Sequence, residues 1–304
     1  MKKLVKLIIV FVLVMVSGCT TQNKEENARV IDTSMFLYKV SNQKGNYSYL
    51  FGTCHPGRYP IKSLDKVTEK ALDESDSIYL ECSLDQKEMQ KYSKYLSYNS
   101  IRQLGLEDLY EDVMKQYKSL EGKSGYVTYN ACAISSIVNS DPEVLSKANI
   151  SKFSAIDNYI YDYAQKKKNF KEVEGVEFQM KLFADLSKNY SQEILTELKN
   201  KKEFIKGSKK IIDAYYNGNT QYFDDEQNLI LDQLEQMNDN EKEKIENYLN
   251  ILSYNRNIYM KDTLVNSIHN NKHDFIGVGC RHLYGRKGII QLLKDDGYLV
   301  ECMK

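Results

Sequence analysis

The 304-residue chain has no tryptophan, only three prolines and only four histidines. It also lacks an excess of either charge. Lys and Arg total 42, as do Asp and Glu, so the formal net charge is zero and no electrostatic ground for nucleic-acid binding exists. No CxxC spacing occurs. No repeat of 20–50 residues is visible, which excludes a solenoid. The apolar run at residues 7–16 is the length of a signal-peptide core and short for a bilayer-spanning helix, the alternative being an uncleaved anchor. What is present is a 42% hydrophobic composition with 24 tyrosines, enough for a sizeable core. The length permits one large domain or two ordinary ones.

The N-terminus is the most legible segment. Lys2, Lys3 and Lys6 precede the apolar run, and Val16-Ser17-Gly18-Cys19 follows it. This order is that of a bacterial lipoprotein signal peptide, in which small residues let a peptidase reach the bond before a lipid-bearing cysteine. The expectation is a signal peptide over residues 1–18, with Cys19 as the lipidation site. A flexible polar tether over 19–33 and one folded domain over 34–304 follow. The protein would then sit on the extracytoplasmic face of the cell membrane, held through its N-terminal lipid. Five cysteines remain after Cys19, an odd number that does not suggest a disulfide framework.

Alternation of apolar residues predicts strands at 35–40 and 47–52, joined as an antiparallel hairpin, and another at 77–84. A helix over 63–75 is expected, with Ser63 as its cap. From about 86 to 270 the pattern is mainly helical, broken by a short extended stretch near 170–175. Strand signals return at 273–279 and 298–302, around a helix at 285–296. These signals predict an α+β fold. A mixed central sheet is built from the N- and C-terminal segments, with a large helical insertion between them.

Two of the four histidines share one local setting. Gly52-Thr53-Cys54-His55 and Gly279-Cys280-Arg281-His282 both read Gly-x-x-His, each directly after an expected strand. A glycine lets the backbone leave a strand without a Cβ clash. A histidine just beyond it would project at the carboxyl end of the sheet, where open α/β sheets place ligands. If both chain ends pair in one sheet, the imidazoles converge. Glu81, a carboxylate inside a short apolar strand, would add a third donor. Two imidazoles and a carboxylate suit zinc or a similar divalent ion with a position left for water. The plainer alternative is two loop histidines and a glutamate paired with an arginine. His269 and His273 have a ligand-like i, i+4 spacing, but they sit at an expected helix end without the glutamate that metallopeptidase helices carry. Cys54, Cys82 and Cys280 adjoin the three candidates and are expected to pack in the core.

Six ordered blocks resemble the TraB/GumN family, which is related to the Tiki proteases. They are Leu50-Phe51-Gly52-Thr53-Cys54-His55, Leu80-Glu81, Ile156-Asp157-Asn158-Tyr159 with Glu174-Gly175-Val176-Glu177, Tyr216-Asn217-Gly218-Asn219, Asn255-Arg256-Asn257, and Val278-Gly279-Cys280-Arg281-His282-Leu283. The resemblance covers essentially all of the expected mature chain. Two departures stand out: Asn255 replaces the glutamate usual before Arg-Asn, and the glutamine usual after the Gly-x-Glu block is displaced to Gln179.

The resemblance implies a metal-dependent hydrolase acting on peptides or small molecules. His55, Glu81 and His282 would hold a divalent ion (Zn, Mn or Co). It further implies Glu177 as base or supporting carboxylate, Arg256 as a group for oxyanion or carboxylate charge, and Asn257 as an orienting residue. The alternative is a non-catalytic lipoprotein that binds haem, metal or peptide.

Overall fold

A computed structural model of the chain describes residues 28–151, 155–167 and 169–304. The expected signal peptide and Cys19 lie outside the described residues. The described chain forms two compact units, one of residues 84–151 and 176–212, the other of 28–83, 155–167, 169–175 and 213–304. Among the described residues no helix is long and apolar enough to cross a membrane.

The first unit is helical. Helices Glu107–Met114, Ala131–Asn139 and Val176–Lys199 carry much of it. Tyr110, Val113, Ile134, Val138, Leu195 and Leu198 share its buried core. Tyr117 fills the same core with its ring and donates its hydroxyl to Leu198 O at 2.6 Å, so the polar end of a buried aromatic is satisfied.

The second unit holds the strands: β1 (Arg29–Ile31), β2 (Leu37–Ser41), β3 (Tyr47–Thr53), β4 (Ile61–Leu64), β5 (Ser77–Leu80), β6 (Asn169–Glu172), β7 (Phe275–Gly279) and β8 (Leu299–Cys302). Six form one mixed sheet in the order β6-β5-β7-β3-β2-β8. β6, β5, β7 and β3 run parallel, while β2 is antiparallel to both β3 and β8. The two chain ends therefore meet in the centre of the sheet, as the sequence predicts. β7 is buried from Phe275 to Val278, the near-continuous apolar run expected of a parallel strand covered on both faces.

The predicted hairpin is β2–β3, in register from Leu37↔Phe51 to Ser41↔Tyr47. Asn42 closes its loop, its side-chain oxygen accepting from the amides of Lys44 (2.9 Å) and Asn46 (3.1 Å). The helix expected from Ser63 begins later, at Lys66. Ser63 lies in β4, which pairs with β1 in a second, two-stranded parallel sheet. Asp65 is the cap instead. One oxygen accepts from Val67 N and Thr68 N, both at 3.0 Å, and the other from Thr33 N at 2.9 Å. An aspartate offers two acceptor atoms where a serine offers one, so it caps the helix and anchors the incoming chain together. β1 also takes in the last residues of the segment expected as tether. It is held by Arg29 N donating to Pro60 O at 2.9 Å.

Gly52 serves close packing rather than a sharp exit from the strand. It lies inside β3, and a Cβ there would stand 3.1 Å from both Cys280 Cβ and Leu283 Cδ2. The missing side chain lets the residues after β7 close over β3.

Candidate functional site

Four adjacent parallel strands end at the same edge of the sheet, and each delivers a polar residue there. His55 lies two residues beyond β3 and His282 three beyond β7. Glu81 directly follows β5, and Glu174 lies two beyond β6. The pairing Thr53↔Gly279 brings the two Gly-x-x-His segments side by side. The carboxyl end of a parallel sheet is where side chains from separate segments meet most readily.

Helix Asn255–His269 supplies two more residues from its first turn. It continues from a π-helical segment, Asn250–Tyr254, whose wider turn leaves carbonyls to be satisfied otherwise. Arg256 reaches back and donates to Leu252 O at 3.0 Å. Its guanidinium also grips Glu174 with two bonds of 2.7 and 2.8 Å, and Glu81 Oε2 with one of 2.6 Å. The three side chains are nearly sealed, Arg256 and Glu81 at 7% exposure and Glu174 at 1%. Burial pushes the Glu81 carboxyl upward, but Arg256 foremost, then the imidazoles, outweigh it and hold it well below the ordinary carboxylate range. Burial likewise opposes the charge on Arg256, and its two carboxylates more than offset that.

Asn257 fixes the state of His282. Its amide nitrogen donates to Lys287 O at 2.8 Å, so its oxygen must face His282 Nδ1, 2.6 Å away. Nδ1 therefore carries the proton and Nε2 keeps a bare lone pair. Burial first, and Arg256 second, push the His282 pKa down to about 3, so the ring is neutral at pH 7. His55 is held from behind in the same way. Its Nδ1 stands 2.9 Å from Asp157 Oδ2, close but not aligned as a straight hydrogen bond. Burial lowers the His55 pKa, and the Asp157 charge overrides this and raises it.

The remaining faces of these groups converge around Gly279. A Cβ built there would lie 3.2 Å from Glu81 Oε1, 3.5 Å from His55 Nε2 and 3.6 Å from His282 Cδ2. Its backbone angle φ is −52°, which any residue adopts, so the space itself calls for glycine. Gly279 N donates to Glu81 Oε1 at 2.7 Å.

The donor set suits a divalent cation in kind. Each histidine has an oxygen acceptor beside its Nδ1, hydrogen-bonded at His282 and 2.9 Å away at His55, which resembles the arrangement that metal-ligating histidines show. His282 Nε2 and Glu81 Oε1, both lone-pair atoms, face each other at 4.0 Å. A tetrahedral ion with bonds of about 2.0–2.2 Å holds its ligand atoms about 3.3–3.6 Å apart, so these two would have to close by about half an ångström to share one. Among the described residues no group of three or more His, Cys, Asp or Glu is placed so that it could hold a metal ion. The residues suit an ion in chemical kind but not in their present spacing.

Of the predicted residues, the structure brings His55, Glu81, His282, Arg256 and Asn257 together. Glu177 belongs to the first unit, in the opening turn of helix Val176–Lys199. There it is exposed and accepts from Tyr95 Oη at 3.0 Å. The carboxylate of that block in the cluster is Glu174, three residues earlier. The chain turns directly after it, with Gly175 N and Glu174 N both donating to Glu81 O. Asn257 orients His282 rather than a glutamate, and Asn255, where the resemblance expects a carboxylate, is exposed. Asp157 and Glu174 were not singled out from the sequence, although both fall inside the matching blocks. Glu174 also had the signal the others had, a polar residue where an expected strand ends.

Cys54, Cys82 and Cys280 are buried and outside any disulfide, as expected of core residues, and burial pushes each thiol up. His269 and His273 make separate contacts. His269 Nε2 meets Tyr298 Oη at 2.9 Å, and His273 packs edge-on against Tyr47 with ring centroids 4.3 Å apart.

The model of the TraB/PrgY/gumN family matches residues 36–302, and the chain belongs to that family. No curated protein and no solved structure matched the chain.

Proposed function

We propose, from family membership and the geometry together, that the chain is a metal-dependent hydrolase of peptides, tethered by lipid outside the cytoplasm. The observation that carries this reading is the bare Nε2 of His282 facing Glu81 Oε1 at 4.0 Å, with His55 Nε2 beside the same glycine. His55, Glu81 and His282 would hold the ion, of which Zn, Mn and Co are the candidates. When bound, such an ion lowers the pKa of a water molecule and polarises a carbonyl.

The chain's own groups have distinct tasks. Arg256 fixes Glu81 in place and keeps it ionised, and Glu174 completes the charge balance around Arg256. Four of the five N–H donors of Arg256 already serve two carboxylates and a carbonyl, which favours this holding role over the oxyanion role expected of it. Asn257 holds the His282 tautomer that leaves Nε2 bare, and Asp157 orients His55.

Metal analysis of the mature protein tests the reading directly. Stoichiometric metal is expected, lost together with peptide cleavage on chelation and in the His55→Ala/His282→Ala variant, while the fold persists. The reading fails if the protein holds no metal and added Zn, Mn or Co changes neither stability nor activity. A binding protein without turnover is the second reading. It is favoured by the engagement of both Glu81 and Glu174 with Arg256, which commits both glutamates of the cluster to ion pairs. Retained metal and bound peptide with no cleaved product would select it. The tether has its own test: labelling with a palmitate analogue, abolished by Cys19→Ala.

A further inference from the structure

Arg58 lies three residues beyond His55, in the turn between Pro56 and Pro60. That turn is firmly clamped. Arg58 N donates to Tyr216 Oη at 3.0 Å, and the guanidinium stands 5.4 Å from the Tyr216 ring centroid. Tyr59 meets Tyr216 edge-on at 6.0 Å and carries the Arg29 guanidinium 4.1 Å from its own ring centroid. The Arg58 side chain is 13% exposed and pairs through Nη2 with Asp213, which at 37% is much more open to solvent.

The pairing leaves the guanidinium incompletely used. Arg58 Nε is buried without an acceptor. A guanidinium has five N–H donors arranged as a planar fork, and Asp213 takes one of them. Burying a charged donor without a partner is costly. A planar two-oxygen acceptor is what this fork suits best. The position is next to the cluster rather than remote from it. Arg58, Cys54, Tyr216 and Asp157 lie close enough to act on one another electrostatically, and Asp157 touches His55.

We propose that Arg58 is a substrate anchor that takes a carboxylate of the bound peptide, on the His55 side of the site and in competition with Asp213. This names a substrate group for the hydrolase reading and rests on it for the word substrate. The binding itself is measurable without turnover.

The test is calorimetric titration with three probes: acetylated tetraalanine with a free C-terminus, the same peptide amidated, and an amidated acetyl peptide with one internal aspartate. Running it on both the wild type and the His55→Ala/His282→Ala variant separates anchoring from catalysis. A chain-end carboxylate is the source if only the first probe binds, and a side-chain carboxylate if the third binds as well or better. Arg58→Lys keeps charge but loses the fork and is expected to weaken binding about tenfold. Arg58→Ala is expected to abolish the preference for the charged peptide. Asp213→Asn removes the competing carboxylate and is expected to tighten binding severalfold, an effect that a merely structural ion pair would not give. Arg286→Gln, which breaks an exposed ion pair elsewhere, serves as the control. Equal affinity for free and amidated peptide, or no detectable binding of either charged probe, overturns the proposal, as does weaker binding by Asp213→Asn.

Discussion

Replacing Arg256 by methionine keeps a long side chain and removes four hydrogen bonds. Two of them go to Glu174, one to Glu81 and one to Leu252 O, at 2.6–3.0 Å. The loss matters less than what it leaves: two carboxylates at 7% and 1% exposure with their shared cation gone. Removing one partner of a buried pair costs about 3–5 kcal/mol, against a total stability of about 5–15 kcal/mol. With urea slopes of about 1–3 kcal/mol/M, the unfolding midpoint should fall by on the order of 1 M or more at pH 7. Arg256→Met/Glu174→Met removes one stranded charge along with the cation. It should therefore be more stable than the sum of its single variants predicts, by about 1–3 kcal/mol. Urea titration of the metal-free protein by circular dichroism measures all three. If Arg256→Met shifts the midpoint by less than about 0.3 M, or if the two substitutions simply add, the cluster is not the coupled unit described here.

Gly279→Ala should place a methyl group 3.2 Å from Glu81 Oε1. It is expected to cost about 1–3 kcal/mol of stability yet to abolish zinc uptake in titration, and unchanged uptake would contradict the cradle. Glu174→Gln should lower activity by about tenfold or more through Glu81 and Arg256, whereas Glu177→Gln should stay within about twofold, so the reverse order would restore the original assignment. Asp65→Ala should lose about 1–2 kcal/mol at pH 7. Burial raises the Asp65 pKa, but its bonds to Thr68 and Thr33 outweigh this and lower it. Its stabilisation is therefore full above the unfolded carboxylate value of about 3.9 and fades as the pH falls through the lower folded value. Thermal melts from pH 7 to pH 2 should show the gap between wild type and variant closing below about pH 4, and a constant gap would mean that the charge plays no part.

The sheet was legible because its signals are periodic and local. β3 and β7 each read as an apolar run ending in Gly-x-x-His, and two copies of one rare arrangement implied a common edge. Glu81 was legible for a related reason, since a charge in an apolar strand demands a partner. The partners were less so. Arg256 could be placed in the site from its block but not assigned to two carboxylates, because its reach depends on the π-helical segment before it, and a π-turn has no reliable sequence signature. Glu174 and Glu177 are three residues apart in a block that changes from strand end to helix start, and only the position of that boundary decides which carboxylate turns inward. Ser63 and Asp65 show the same sensitivity, since both are good caps and a shift of two residues changes which one is used. Asp157 sits in the first turn of a helix, where an acidic residue is expected for electrostatic reasons alone, so nothing set it apart before the fold placed it behind His55.

The strand order explains how residues more than two hundred positions apart make one site. β7, the seventh strand in the chain, is inserted between β3 and β5, so that a late segment lies between two early ones. Each parallel strand adds one polar residue at its carboxyl end, and the pairing register sets their spacing to within a residue. A slip of one residue between β3 and β7 would turn His55 or His282 to the other face. The close packing at Gly52 against Cys280 and Leu283 opposes that slip, because the Cβ of any other residue would stand in contact with both. The two Gly-x-x-His glycines thus divide the work. Gly52 fixes how closely the chain after β7 approaches β3, and Gly279 keeps the space between the imidazoles open. A larger residue at 52 should therefore disturb the relative placement of both histidines even though it touches neither, whereas one at 279 should obstruct the site and leave the pairing intact.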